Sequence, residues 1–252
     1  DISFRALETL KAVDLIACED TRHSRKLLTH FGIAGKLLSF HQHNEKERIG
    51  ELIKQLESGC SIAVISDAGT PGISDPGALL VVAAREAGIA VVPIPGPTAF
   101  VSALIVSGLP TDSIFFGGFL PSKRSDRRKR LSELKQIPAT LTFYEAPHRL
   151  SASLADCAAE LGPRRAAVVR ELTKLHEEVV VGMLAELAEK FSNAKIRGEI
   201  VLVIDRGGVA QIEPVHATLS ERVAELESSG VDRRAALKAA AKEFGIGRSE
   251  AY

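Results

Sequence analysis

Short, continuous apolar runs alternate along this chain with stretches whose apolar residues recur every three or four positions. The first pattern predicts strands buried on both faces, and the second predicts amphipathic helices. Read in order, the pattern predicts a helix over 2–11, a strand over 13–18, a helix over 24–31 and a short strand over 37–40. In the next segment Ile49, Leu52, Ile53 and Leu56 fall at i, i+3, i+4 and i+7, with Asn44 as N-cap and Gly59 as stop. A strand over 62–65, a buried helix over 78–87, a strand over 89–92 and an apolar helix over 99–106 follow. A second half opens near residue 112: strand 114–121, helix 125–136, strand 139–144, helix 148–161, strands 165–170 and 178–181, helix 183–191 and strand 199–204. Strand and helix in regular alternation predict α/β architecture.

The loops between these elements carry the candidate chemistry, because open α/β sheets bind ligands at the carboxyl ends of their strands. The longest is SDAGTPGISDPG over residues 66–77, where glycines let backbone approach a ligand. Asp75 stands where an N-cap belongs and Pro76 where the first helical residue belongs. A second glycine-proline loop, PIPGPT over 93–98, comes from the next expected strand, and the two together make a ligand wall. Polar residues also gather at strand ends at Glu19, Asp20, Thr21 and Arg22, and at Glu145, His148 and Arg149. His41 and His43 alternate along an extended segment as a metal pair would, but with no third ligand nearby a polar strand end is the better reading, and no metal is expected.

Composition changes this picture little. With 252 residues, 45% apolar, 25% charged and a formal net charge of +0, the chain is an ordinary globular protein with room for one or two domains. Cys18, Cys60 and Cys157 are odd in number and sit in apolar surroundings, which predicts free thiols in a reducing cytoplasm. No run approaches the ~18 apolar residues of a membrane span, and no signal peptide is visible. The sequence starts at Asp1 without a methionine, so a segment is expected to precede it.

Charge is clustered in one place: Lys123, Arg124, Arg127, Arg128, Lys129 and Arg130 put six cations in eight positions, a density that attracts a phosphate backbone when it is more than a solvated face. The tail after Pro214 reads as helices, and RRAALKAAAKEFGIGRSEAY has helix-turn-helix spacing with its turn at Gly245. A small helical hairpin that binds nothing fits that pattern equally well. Dinucleotide and Walker-type phosphate signatures are absent, as are the nucleophile-elbow and zinc-protease spacings. A cleft of backbone-rich loops suits a neutral or cationic adenosyl compound better than a polyphosphate.

Six segments together, ACEDTRHSRKLL (17–28), SDAGTPGISDPG (66–77), PGPTAF (95–100), FYEAPHRL (143–150), REL (170–172) and GEIVLVI (198–204), resemble the ribosomal RNA small-subunit methyltransferase I family of the tetrapyrrole methylase superfamily. The resemblance runs through the whole chain in order. It implies two α/β domains, 1–111 and 112–208, with S-adenosylmethionine in the cleft between them, and a helix-turn-helix-like tail over 214–252. It also implies a homodimer acting in the cytoplasm, and 2′-O-methylation of a cytidine in the decoding region of 16S ribosomal RNA. The family opens with an apolar strand and a Thr-Pro-Ile-Gly-Asn-Leu-x-Asp loop, of which Asp1-Ile2 matches only the end.

Carried over position by position, the resemblance assigns Ser66, Asp67, Ala68, Gly69, Pro71, Thr98 and Ala99 to the cofactor wall. It assigns Tyr144, His148, Leu150, Gly198, Glu199 and Ile200 to the side that closes over the adenine. In-line methyl transfer draws most of its acceleration from positioning and a dry cleft, while the 2′-hydroxyl must lose a proton. Asp20, Glu145 and His148 are the candidate bases, with Arg22 and Arg149 holding phosphate or orienting carboxylates; an interdomain Glu145–Arg149 ion pair is the alternative for those two. The same fold with a tetrapyrrole or modified-histidine acceptor, and an RNA-binding module without catalysis, are the competing readings.

Overall fold

The computed structural model describes residues 1–67, 69–207 and 219–243. Residues 1–207 form one compact unit and the remainder a second. In the first unit, β1 (Leu15–Cys18), β2 (Leu37–Ser39) and β3 (Ile62–Ile65) make a three-stranded sheet in the order β2-β1-β3. Both pairings are parallel, as helical crossovers require. The helices α1 (Phe4–Ala12), α2 (Thr21–His30), α3 (Glu45–Glu57), α4 (Ala78–Glu86) and α5 (Ala99–Ser107) belong to this half. Side chains alternate across β1: Leu15 and Ala17 pack with Phe40, Leu52 and Leu80, whereas Ile16 packs with Leu10, Leu28 and Ile33. Both faces are thereby covered, which is why β1 is a continuous apolar run.

Four local expectations are corrected. Residues 89–92 are not a strand: the Ile89 N–H returns to the Ala84 carbonyl to close α4, and β3 pairs with β1 alone. An apolar run becomes a strand only where it finds a partner for its backbone groups, and among the described residues none is offered here. The helix after the long loop starts at Ala78 rather than Pro76; Asp75 accepts from Ser66 Oγ at 2.6 Å, and the Gly77 N–H at the cap donates to Glu45 Oε1 at 2.9 Å. Nor is α4 wholly buried, since Leu79 and Val82 are exposed. Asn44 does stand at the N-cap of α3, but its Oδ1 accepts from the His41 N–H and its amide donates to the Ser39 carbonyl, so it fixes the preceding turn instead of the helix. His41 and His43 accordingly lie in a turn with ring centroids 5.9 Å apart.

Residue 112 falls between α5 and β4, where a second sheet begins. It comprises β4 (Ile114–Phe119), β5 (Thr140–Glu145), β6 (Arg165–Arg170), β7 (Glu178–Met183) and β8 (Ile200–Ile204) in the order β4-β5-β8-β6-β7. β4 runs parallel to β5, and the remaining pairings are antiparallel. The carboxyl ends of β4, β5 and β6 and the amino end of β8 therefore share one edge. Helices α6 (Arg124–Leu134), α7 (Leu150–Leu161) and α8 (Leu184–Lys190) cover one face, contributing Leu131, Leu154 and Leu187 to a core with Leu141, Val168 and Leu202. The other face receives α5: Ala103 and Leu104 pack on Ala167, Val169, Val201 and Val203. Cys18 and Cys157 are buried free thiols, and Cys60 is free and half-buried.

The cationic run opens α6, and the structure corrects the expectation that all six of its charges are available. Arg127 is 4% exposed and Asp156 of α7 is 3% exposed; they join through Nη2 at 2.6 Å and Nε at 2.9 Å, and Arg127 Nη1 also donates to the Ser122 carbonyl. Arg124 reaches the same Asp156 at 3.2 Å, Arg128 reaches Glu160 at 2.5 Å and Arg130 reaches Glu133 at 3.2 Å. Among the described residues, Lys123 and Lys129 make no ion pair.

In the second unit, α9 (Leu219–Ser228) and α10 (Arg233–Glu243) bury Val223, Ala236 and Ala240 against each other. Asp232 accepts from the Arg234 and Ala235 N–H groups and so caps α10. The expected turn at Gly245 and the helix after it lie outside the described residues.

Breaking the Arg127–Asp156 pair leaves a buried charge without its counterion. Asp156→Ala is expected to destabilise the protein by about 3–5 kcal/mol in urea unfolding, and Arg127→Met with Asp156→Leu by much less. Equal losses in the two variants would show that packing alone holds α6 to α7.

Candidate active site

A cavity of about 410 Å³ opens where the loops of the first sheet meet the shared edge of the second. From the first half its wall takes Glu19 just past β1, and Asp67, Gly69, Thr70, Ile73, Ser74 and Asp75 from the loop past β3, together with Ala99 at the start of α5. From the second come Phe119 at the end of β4, Tyr144 to Pro147 at the end of β5, Val169 and Leu172 around the end of β6, and residues 198–201 leading into β8. A second space of about 410 Å³ adjoins it, sharing Asp67, Gly69, Ala99, Leu172 and Glu199, and is bounded by Ser66, Pro71, residues 94–98 and the outer side of β3.

Backbone bonding explains why the long loop holds its shape. The Gly72 N–H donates to the Pro76 carbonyl, and Ser74 sits at φ 63 with its hydroxyl against the Gly118 turn of β4. Thr70 Oγ1 lies 3.2 Å from the Pro97 carbonyl and 3.1 Å from Thr98 Oγ1, which ties the two glycine-proline loops together. On the opposite wall the Glu171 and Glu199 backbones bond, the Glu199 N–H donates to Glu171 Oε1, and Lys174 Nζ bridges both carboxylates at 3.0 and 2.9 Å. Glu171 and Thr173 take left-handed φ of 50° and 63°, and Gly198 stands at φ 90 where any Cβ would run into the Glu171 side chain. Left-handed conformations at non-glycine residues store strain and cluster at ligand sites.

The cleft is acidic on its first-half side. Burial, and then the like charges of Asp75 and Asp67, hold the Glu19 carboxyl above its ordinary value, and Glu19 Oε1 is buried without a hydrogen-bond partner. Burial also pushes Asp75 up, against the lowering effect of its Ser66 hydrogen bond, with Asp67 and Glu199 adding to the rise. Tyr144 is raised by burial. Ala99, Val169, Leu172, Ile200 and Val201 add apolar surface to the lining. A site with an apolar side, a few polar groups and this volume suits a drug-sized ligand. The carboxylates favour one that carries positive charge, and a cationic adenosyl compound fits both walls.

Of the residues expected to contact cofactor, Asp67, Gly69, Ala99, Tyr144, Gly198, Glu199 and Ile200 line the cavity, and Ser66, Pro71 and Thr98 line the adjoining space. Ala68 lies outside the described residues. Leu150 does not reach the cavity: it is 1% exposed in the core on the α6–α8 face of the sheet. His148 is exposed on the 3-10 turn Pro147–Arg149 and also stands outside the lining.

Among the candidate bases, Asp20 caps α2, accepting from the Arg22 N–H at 2.7 Å, and that backbone bond lowers its carboxyl. Glu145 lines the cavity but is engaged: it is 2% exposed and accepts from Ser153 Oγ at 2.5 Å and from the Ala146 N–H. Arg149 Nε approaches Glu145 at 3.2 Å without hydrogen-bond geometry, while its Nη2 donates to the Leu120 carbonyl, so this pair ties the end of β5 to the end of β4. The sequence marks Glu19 as part of a polar strand end and Thr70 and Asp75 as part of the ligand loop without giving them a contact, and it gives Phe119 and Leu172 no lining role. Position at a strand end was the signal available for Glu19 and Phe119; no pattern marks Leu172 as lining.

The raised carboxyl of Glu19 sets a pH-dependent stability. The folded protein holds this proton more tightly than the unfolded chain, so the group's contribution to stability is lost as pH rises from the ordinary carboxyl range through the raised value. Glu19→Gln is expected to raise the melting temperature at pH of about 7 and to leave it unchanged at about 3, where both states are protonated. The same gain at both pH values would contradict the electrostatic origin.

Residues 1–188 match the family model described as Tetrapyrrole (Corrin/Porphyrin) Methylases. The chain is similar to "Ribosomal RNA small subunit methyltransferase I" of Halalkalibacterium halodurans, at 46% identity over 100% of this chain and 89% of that protein. It is 45% identical to the protein of the same name from Escherichia coli O157:H7, over 100% of this chain and 88% of the relative. In fold it is similar to uroporphyrin-III C-methyl transferase from Thermus thermophilus complexed with S-adenyl homocysteine, with a TM-score of 0.54 at 19% identity over 81% of this chain and 90% of that one. An acidic and apolar cleft between two α/β sheets, a family model over most of the chain and full-length relatives of a single name place this chain in the ribosomal RNA small subunit methyltransferase I family of the tetrapyrrole methylases.

Proposed function

We propose that this chain transfers the methyl group of S-adenosylmethionine to the 2′-hydroxyl of a cytidine in the decoding region of 16S ribosomal RNA. The observation that carries the reading is full-length similarity to relatives named for small-subunit ribosomal RNA methylation, in a chain whose cleft retains walls suited to the cofactor. When bound, the cofactor supplies an electrophilic methyl group on a cationic sulfur. The chain supplies position, dryness and a proton acceptor. Ala99, Val169, Leu172, Ile200 and Val201 exclude water from one side of the cavity. Asp67, Asp75 and Glu199 favour a cationic ligand over its neutral product, and the Thr70–Thr98 tie holds the two loops at fixed separation. Glu19 takes the hydroxyl proton: it lines the cleft, one of its oxygens is unpartnered, and its raised carboxyl lies nearer the working pH than that of an ordinary glutamate. Glu145 and Arg149 shape the end of β5 instead of reacting.

The protein acts as a homodimer in the cytoplasm, where its ribosomal substrate is found. Among the described residues no helix is long and apolar enough to cross a membrane, and α5 exposes Val101, Ile105 and Val106, an apolar surface suited to a second copy. Tritiated methyl transfer to small ribosomal subunits that lack the modification is expected to label 16S RNA as 2′-O-methylcytidine. Label confined to a small molecule or a protein would overturn the acceptor. Glu19→Gln is expected to lower kcat by roughly 10²-fold or more with little change in cofactor KM. Sedimentation is expected to give two chains per particle and, after Ile105→Glu, one; a monomeric wild type would contradict the dimer.

A further inference from the structure

The cationic run on α6 was the obvious surface for RNA, but carboxylates of α7 and of α6 itself hold four of its six charges. A different helix carries cations with fewer commitments. In α2, TRHSRKLLTH, the residues Arg22, Arg25 and Lys26 fall at i, i+3 and i+4 and so share one face, opposite the buried Ser24 and Leu28. All three are exposed, Arg22 by 90%. The helix contains no acidic residue, and among the described residues Arg25 and Lys26 make no ion pair. Asp20 caps the helix and sits 3.5 Å from Arg22 Nε, a loose and solvated pair of little net strength.

Position adds the second argument. Glu19 lines the catalytic cleft, and α2 starts two residues later at the same sheet edge, so Arg22 stands one turn from the cavity wall. Four residues of helix rise about 6 Å, which spreads the three cations outward from the cleft mouth in a line. A row of exposed cations with one loose ion pair among them, leading away from a reaction site, suits a polyanionic strand whose reacting sugar enters the cleft while its neighbouring phosphates stay outside.

We propose that the Arg22–Arg25–Lys26 face of α2 is the phosphate-docking surface that presents ribosomal RNA to the cleft. This inference rests on the RNA reading of the function. Its chemistry is that of backbone contact: it positions the strand and contributes salt-dependent affinity without reading bases.

The test is the affinity of the full chain for small-subunit ribosomal RNA and for intact subunits, measured as a function of salt. Arg25→Ala with Lys26→Ala is expected to weaken binding to both probes about tenfold at roughly 0.1 M salt. It should lower the slope of log affinity against log salt by about 1.4–1.8, the value for two lost phosphate contacts. Cofactor affinity, read by calorimetry, should stay at the wild-type value, which shows that the variant is folded. Lys46→Ala with Lys54→Ala on α3 removes the same net charge elsewhere and is expected to leave the slope unchanged. A wild-type slope in the α2 variant, or equal losses in the α3 variant, would overturn the proposal. Loss on intact subunits but not on RNA alone would overturn it in favour of a protein contact. Failure of the wild type to methylate any RNA would instead sink the functional reading beneath it.

Discussion

The packing of Ala103 and Leu104 against Ala167, Val169, Val201 and Val203 is the contact on which the cleft depends. It places α5, which ends the first half of the chain, on the open face of the second sheet. The loop that leads into α5 is thereby carried to the edge where β4, β5 and β6 end. Thr98 and Thr70 then bring the long β3–α4 loop to the same place. Each sheet has its own core of branched and aromatic side chains, and both described cavities take lining residues from the two halves. Small residues serve at the join because Ala103, Ala167 and the valines let helix and sheet approach closely.

Around the cavity, electrostatics and backbone conformation are costly in ways the cores are not. Glu19, Asp67 and Asp75 crowd one wall, and burial raises two of them; Ser66 relieves Asp75 by donating to it. Across the cleft Lys174 bridges Glu171 and Glu199, leaving one net negative charge among the three, and Glu171 and Thr173 take left-handed conformations beside that bridge. Repulsion and strain of this kind persist only where surrounding structure enforces them; the carboxylates line the cavity, and the strained residues flank Leu172, which lines it as well. A cationic ligand would relieve the first wall, which couples cofactor binding to stability.

Much of this architecture was legible in the hydrophobic pattern. Every strand of the second sheet was readable because its apolar runs are bounded by polar or glycine-rich turns. Four choices depended on tertiary contacts that the local pattern does not show. Residues 89–92 have a strand's composition but no strand beside them, and Asp75 has an N-cap's identity but is taken by Ser66. The cationic run looked uniformly available because its counterions, Asp156 and Glu160, lie about thirty positions downstream on another helix. Leu150 follows a motif that marks the site, yet helical phase turns it into the core. Cavity-lining positions on glycine-rich loops and strand ends were readable, whereas the lining role of Leu172 and the unpartnered oxygen of Glu19 required coordinates.

Hydrogen–deuterium exchange with and without S-adenosylmethionine reads both walls of the cleft at once and so reports whether the two sheets hold the cofactor between them. Added cofactor is expected to slow exchange in the loop past β3, in 93–99, in 144–147 and in 198–201 together, while α6 and α7 stay unchanged. Protection confined to one half of the chain, or appearing on the α6–α8 face, would contradict a cofactor held between the two sheets.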